Sequence, residues 1–182
     1  GRGFEGKVAA IKYARESKTP FLGICLGMQA AVIEYCRNVL GRERAHTSEL
    51  ASDLVKNIED AVIFMPEGDR ERMGGTMRLG ARETVLKDGS ISRKLYDKEK
   101  IMERHRHRYE VNNQYRDQIL KTGLVFSGLS PDKNLVEFVE LPKETHPYYV
   151  GTQAHPEFLS RPTRPHPLFI GLIAAAIAKH GK

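Results

Sequence analysis

The stretch Phe21-Leu22-Gly23-Ile24-Cys25-Leu26-Gly27-Met28-Gln29 decides the fold. Its first four residues form an apolar run of strand length after Lys18-Thr19-Pro20. From Leu26 onward, Ala30, Ile33, Cys36 or Arg37, and Leu40 recur at helical spacing, and Gly41 closes the pattern. Ahead of the strand, Phe4, Val8, Ile11 and Ala14 fall three or four apart, which predicts an amphipathic helix over 4–16. Helix, strand, sharp turn and helix in immediate succession are the signature of an α/β domain with parallel strands.

Further along, Ala61–Met65 reads as a buried strand, and Gly74-Gly75-Thr76-Met77-Arg78-Leu79-Gly80 as a turn running into another. Ile119–Gly123 closes a helix, Leu135–Leu141 alternates like a strand, and Tyr148–Ala154 is a strand ending at His155-Pro156-Glu157. The segment from Pro167 to Lys179 reads as a helix, with Pro167 suited to the first helical position and Gly181 to the stop. No repeat, low-complexity stretch or linker divides the chain, and 182 residues fit one domain.

With 40% hydrophobic and 29% charged residues, the composition is that of a globular protein. The longest apolar run, Leu168–Ala178, contains Gly171 and falls well short of the ~20 residues a membrane helix needs. A membrane-spanning helix is excluded. Two cysteines, Cys25 and Cys36, cannot build a disulfide framework, and no signal peptide opens the sequence, so the expected compartment is the cytoplasm. A formal net charge of +6 favours anionic partners without identifying one.

Cys25 lies in a G-x-C-x-G pattern between the strand and the helix. In such a nucleophile elbow, glycines two residues to either side let the neighbouring backbones approach without clashing Cβ atoms. The thiol then sits at a helix N-terminus, where the dipole and free N–H groups favour thiolate, and the Leu26 N–H can face an oxyanion on a substrate carbonyl. Cys36 has no such frame and reads as core. A nucleophilic cysteine needs a base with an orienting partner. His155-Pro156-Glu157 supplies both, because in extended chain residues i and i+2 point the same way and imidazole and carboxylate lie side by side.

Three other patterns carry less. Gly1-x4-Gly6-Lys7 imitates a phosphate-binding loop, but Val8 stands where a Ser or Thr would hold magnesium, and no strand precedes it. His105 and His107 alternate as metal ligands would, yet Arg104, Arg106 and Arg108 interleave them and disfavour a cation, so no metal site is expected. The same basic stretch lacks the aromatic series of a nucleic-acid surface, and a carboxylate or phosphate contact by one of its arginines fits better.

Together these residues resemble the class I, triad-type glutamine amidotransferases, in which Cys25, His155 and Glu157 match the catalytic triad. Within that class, GICLGMQ (Gly23–Gln29), GGTMRLG (Gly74–Gly80), ERHRHRYEVN (Glu103–Asn112) and HPEFLSRP (His155–Pro162) look like the glutaminase domain of CTP synthases. The resemblance implies a three-layer α/β fold, an open and mostly parallel sheet with helices on both faces around a flavodoxin-like core. It implies hydrolysis of the side-chain amide of L-glutamine through a cysteine thioester, with Leu26, Gly27, Met28, Gln29, Glu49 and Arg108 binding the substrate. The family usually reads A-N-S-T-E before its pocket acid, where this sequence has Ala45-His46-Thr47-Ser48-Glu49. It further implies that residues 1–182 are an amidotransferase domain without the family's first strands, whose P-G-G-F-G loop completes the oxyanion hole, and without the synthetase domain. That domain uses ATP and Mg to aminate UTP; the glutaminase itself needs no cofactor. Expected partners are the synthetase domain, GTP as activator and further copies in a homo-oligomer, with neither nucleic acid nor membrane. Alternative readings are a thiol hydrolase of γ-glutamyl peptides and a basic nucleotide- or RNA-binding module.

Overall fold

The structure, a computed structural model, describes residues 3–49, 58–65 and 77–181. In chain order it contains α1 (Phe4–Glu16), β1 (Phe21–Ile24), α2 (Leu26–Asn38), β2 (Ala45–Thr47), β3 (Glu59–Phe64), β4 (Arg78–Leu86), α3 (Ile91–Tyr96), β5 (Lys100–His107), β6 (Tyr109–Val111), α4 (Arg116–Leu120), β7 (Val125–Leu129), β8 (Val136–Glu140), β9 (Tyr149–Thr152) and α5 (Pro167–His180). Short 3-10 turns cover Asn113–Tyr115 and Pro156–Phe158. Of the GGTMRLG stretch, Gly74–Thr76 lie outside the described residues, and Arg78 opens β4. Gly6 and Lys7 fall inside α1, so they form no phosphate loop.

A six-stranded sheet runs in the order β1-β9-β8-β7-β4-β5, and β2, β3 and β6 form a small second sheet. Period-two alternation splits the core between the two faces of the large sheet. Val139 and Tyr149 join α1, α2 and α4 in one cluster, whereas their neighbours Phe138 and Val150 join α3 and α5 in the other. The result is the expected α/β architecture with helices on both faces. Its sheet is mixed: among the described strands only β1·β9 and β2·β3 run parallel, and the pairs from β9 through β8, β7 and β4 to β5 are antiparallel. The connections explain this, since β7–β8 and β8–β9 are joined by loops too short for a parallel crossover, and β4–β5 by only the short α3. No described helix is long and apolar enough to cross a membrane.

Two features of this frame position the site. Helix α2 is buried from Met28 to Cys36, which fixes it against β1, β8 and β9. Strand β1 lies beside β9 in parallel register, Phe21 opposite Tyr149 and Ile24 opposite Thr152, so both chains emerge at the same end of the sheet. In open α/β sheets, ligands bind outside the carboxyl ends of such strands.

Candidate active site

Cys25 leaves β1 and caps α2. Its amide donates to the Thr152 carbonyl at 2.8 Å, and its carbonyl accepts the Gln29 amide at 3.2 Å. Between those bonds the backbone turns through φ 50°, ψ −103°, a left-handed conformation that a residue bearing a Cβ holds at a cost of about 1–3 kcal/mol. Gly23 permits the turn: a Cβ there would meet the Gly27 carbonyl carbon and oxygen at 2.8 Å and the Met28 nitrogen at 2.9 Å. Gly27 plays a different part from the one expected. Its own Cβ would meet nothing within 4 Å, so it faces open space rather than allowing a close approach.

His155 arrives three residues beyond the end of β9. Its amide donates to the Arg104 carbonyl at 2.8 Å, which ties it to β5. Its Nδ1 lies 2.6 Å from Glu157 Oε1, and its ring stacks on Phe158 with centroids 5.1 Å apart. The imidazole–carboxylate pair thus forms as expected, but by another route. Pro156–Phe158 is a 3-10 turn, so Glu157 folds back to His155 instead of sharing a strand face with it. With Nδ1 directed at the carboxylate, Nε2 is the nitrogen left for proton transfer.

The helix does not ionise the thiol. The Cys25 pKa is pushed up to about 11, by burial first and then by the carboxylates of Glu49 and Glu157, and hydrogen bonds from the Leu26 amide and the Gln153 side chain only partly oppose them. Desolvation therefore outweighs the helix N-terminus, and the resting thiol is protonated at neutral pH. Cys36 is fully buried, as expected of a core residue.

The expected glutamine-binding residues divide. Leu26 and Gly27 are half-buried beside Cys25. Met28 is completely buried, and its side chain lies where a Cβ on Gly151 would sit, so only its backbone can face a ligand. Gln29 is buried too, and its Nε2 donates to the Tyr109 carbonyl at 2.9 Å and to Gln153 Oε1 at 3.0 Å. Glu49 follows β2 with its amide on Thr47 Oγ1 at 3.2 Å, and its charge reaches Cys25. Arg108 is half-buried at the bend between β5 and β6, next to the Tyr109 carbonyl that Gln29 uses.

Two groups go beyond the sequence reading. Gln153, buried at the end of β9, directs Nε2 at Cys25 Sγ from 3.6 Å. Its signal was present: it stands two residues before His155 as a polar side chain ending an apolar strand. The second group is His105, His107 and Glu137, all buried, whose ligand atoms lie within 4.8 Å of one another. The interleaved arginines do not separate them, because the alternation of β5 turns Arg104 and Arg106 to solvent and both histidines inward. Two imidazole nitrogens and one carboxylate do not suit Mg2+, which prefers oxygen ligands. Arg78 Nη2 already lies 2.6 Å from Glu137 Oε1 and offsets part of its charge, although burial still holds this carboxyl above its ordinary range and Oε2 has no hydrogen-bond partner among the described residues. Burial, with Arg78 nearby, pushes His105 down to about 3 and His107 down to about 4, so both rings are neutral. They form a hydrogen-bonded series instead, His105 Nδ1 to His107 Nε2 at 3.1 Å and His107 Nδ1 to the Tyr109 carbonyl at 3.0 Å.

Comparison with known proteins gives a consistent picture. The family model for class I glutamine amidotransferases matches residues 1–175. A CTP synthase from Nocardioides sp. is 57% identical over 98% of this chain and 32% of its own length. One from Methanococcus aeolicus is 52% identical over 98% and 32%. The chain thus spans about a third of the length of these relatives. The solved glutaminase domain of Trypanosoma brucei CTPS with bound acivicin is 38% identical with a TM-score of 0.87, covering 98% of this chain and 67% of that one. A glutamine amidotransferase from Thermotoga maritima, 18% identical over 84% of this chain and 47% of its own with a TM-score of 0.52, shares the fold.

Proposed function

From the premise that the chain belongs to the class I glutamine amidotransferases, we propose that it is the glutaminase part of a CTP synthase and releases ammonia from L-glutamine at Cys25. The observation that carries this reading is the strained Cys25 elbow at the end of β1, beside a β9 that delivers the His155–Glu157 pair to the same end of the sheet. In the reaction, His155 Nε2 takes the Cys25 proton as Sγ bonds to the amide carbon of glutamine. The carbonyl becomes an oxyanion that the Leu26 N–H is placed to meet. His155 then returns the proton to the departing nitrogen, the C–N bond breaks, and ammonia leaves a γ-glutamyl thioester. Water, giving its proton to the same imidazole, cleaves the thioester to glutamate and frees the sulfur. Glu157 holds the imidazole tautomer and stabilises its cation throughout.

The substrate amino group pairs with Glu49 and its carboxylate with Arg108, while Gly27 leaves room for the chain between them. Because Cys25 rests as a thiol, ionisation is coupled to proton transfer within the bound complex rather than completed beforehand. The ammonia serves amination of UTP to CTP in a synthetase domain of the longer enzyme. ATP, Mg2+, GTP activation, homo-oligomerisation and a cytoplasmic setting are assigned to that enzyme on the family resemblance. The test is a glutamine-mimicking electrophile: mass spectrometry should find one adduct, on Cys25, prevented by excess glutamine. Modification at Cys36, or none while the protein is folded, would refute the assignment.

A further inference from the structure

We propose that Gln153 is a further catalytic residue, a hydrogen-bond donor that stabilises Cys25 Sγ as thiolate, and that Gln29 is the positioning residue that makes it a donor. The inference rests on the reading of Cys25 as nucleophile. An amide side chain can present either its oxygen or its nitrogen to a neighbour, and here the surroundings choose. Gln29 Nε2 has two hydrogens, and both are committed, one to the Tyr109 carbonyl at 2.9 Å and one to Gln153 Oε1 at 3.0 Å. A carbonyl oxygen only accepts, so the Tyr109 carbonyl fixes Gln29 with its nitrogen inward. That nitrogen in turn claims the Gln153 oxygen and leaves Gln153 Nε2 facing Sγ at 3.6 Å, a span suited to the large radius of sulfur. The Tyr109 carbonyl is itself held by His107 Nδ1, which His105 backs through its own Nδ1. Both glutamines are at least nine-tenths buried, so water does not compete for these bonds.

The donor answers a specific electrostatic problem. Glu49 beyond β2 and Glu157 in the 3-10 turn both act on the sulfur through their charge and disfavour its anion, and in the proposed reaction His155 serves only to accept its proton. The Leu26 amide, the other donor to the sulfur, is needed by the oxyanion once glutamine is bound. Gln153 is then the group left to stabilise the sulfur as it leaves the thioester. No proton is transferred to or from the amide; it only lowers the energy of the anion.

The test is the pH dependence of Cys25 alkylation by iodoacetamide, read by peptide mass in the full chain, for wild type, Gln153→Leu, Gln153→Glu and Gln29→Leu. Loss of one donor to an anion should move the midpoint of alkylation upward by about one pH unit, roughly a tenfold slower reaction at any pH below it. Gln153→Glu, which keeps the shape and adds charge, should move it at least as far, and Gln29→Leu less, because the Gln153 amide can then turn over. If Gln153→Leu does not fold, the near-isosteric Gln153→Glu decides. Coincident midpoints for wild type and Gln153→Glu, with both proteins folded, would overturn the inference and leave Gln153 a packing residue. A wild-type Cys25 that cannot be alkylated at any pH would instead overturn the proposed function itself.

Discussion

Replacing each elbow glycine by alanine should separate the two roles the structure gives them. At Gly23 the new Cβ would stand 2.8 Å from backbone atoms of Gly27, where ordinary contact begins at 3.4 Å, so about 0.6 Å of displacement must be found. Nothing soft is available to move. The obstacle is main chain, and α2 is buried from Met28 to Cys36. Overpacking of this kind costs about 1–3 kcal/mol. At about 2–4 °C per kcal/mol for a chain of this size, Gly23→Ala should lower the melting temperature by roughly 3–10 °C. The displaced atoms belong to the first turn of the helix that Cys25 caps, and misplacement by 1 Å can cost about 10²-fold in rate, so kcat for glutamine should fall by one to two orders of magnitude. Gly27→Ala should do the reverse to stability. It sits within α2 with open space beyond it, where alanine gains up to about 1 kcal/mol over glycine. On the proposed placement of glutamine the same methyl intrudes on the substrate, so KM should rise while the fold tightens. Differential scanning calorimetry with an ammonia-release assay reads both. If Gly27→Ala melts as low as Gly23→Ala, or Gly23→Ala behaves as wild type, the elbow geometry derived above is wrong.

Three further outcomes are expected. Acid should destabilise the fold through His105 and His107. Both are held below their ordinary value of 6.5, so the stability they contribute is complete above about pH 6.5 and lost as pH falls toward their folded values near 4 and 3. At pH 5 the loss is about 2 kcal/mol for each ring, and a urea titration of His107→Asn should show a shallower decline between pH 7 and 5 than wild type; parallel declines would refute the account. Glu157→Ala, which removes the 2.6 Å partner of His155, should reduce ammonia release without abolishing it, and a rate equal to wild type would remove Glu157 from the triad. Cys25→Ala should keep the circular-dichroism spectrum and lose all ammonia release; residual turnover would place the nucleophile elsewhere.

How much of this was legible beforehand depended on what the buried face is made of. The elements α1, α2, β9 and α5 announce themselves because their inward positions are apolar, as at Val8, Ile33, Val150 and Leu168. Strand β5 alternates just as strictly, but its inward residues include Glu103, His105 and His107, so hydropathy reports a run of charge where the chain forms a strand. Strands β2 and β6 span three residues each and α3 only six, too short for periodicity to register. Strand direction is likewise invisible in a pattern of residues, which is why the expected mostly parallel sheet gave way, on the pairing, to one in which only β1·β9 of the five pairs described in the large sheet is parallel. At the site, Cys25 and the His155–Glu157 pair were readable because glycine and proline leave marks in sequence. Gln153 was marked only in its position, a polar side chain ending an apolar strand; its role was not, since an amide acquires that from which end its neighbours turn toward the sulfur.

The left-handed backbone at residue 25 has a consequence for the evolution of the molecule. Glycine is the amino acid that this conformation suits, so selection for robustness alone would erase the sulfur. A Cys25→Gly protein should accordingly withstand heating better than its active parent, by about 1 kcal/mol, whereas Cys25→Ala, which keeps the Cβ, should not. The thiol persists at a position its own scaffold would rather fill with nothing.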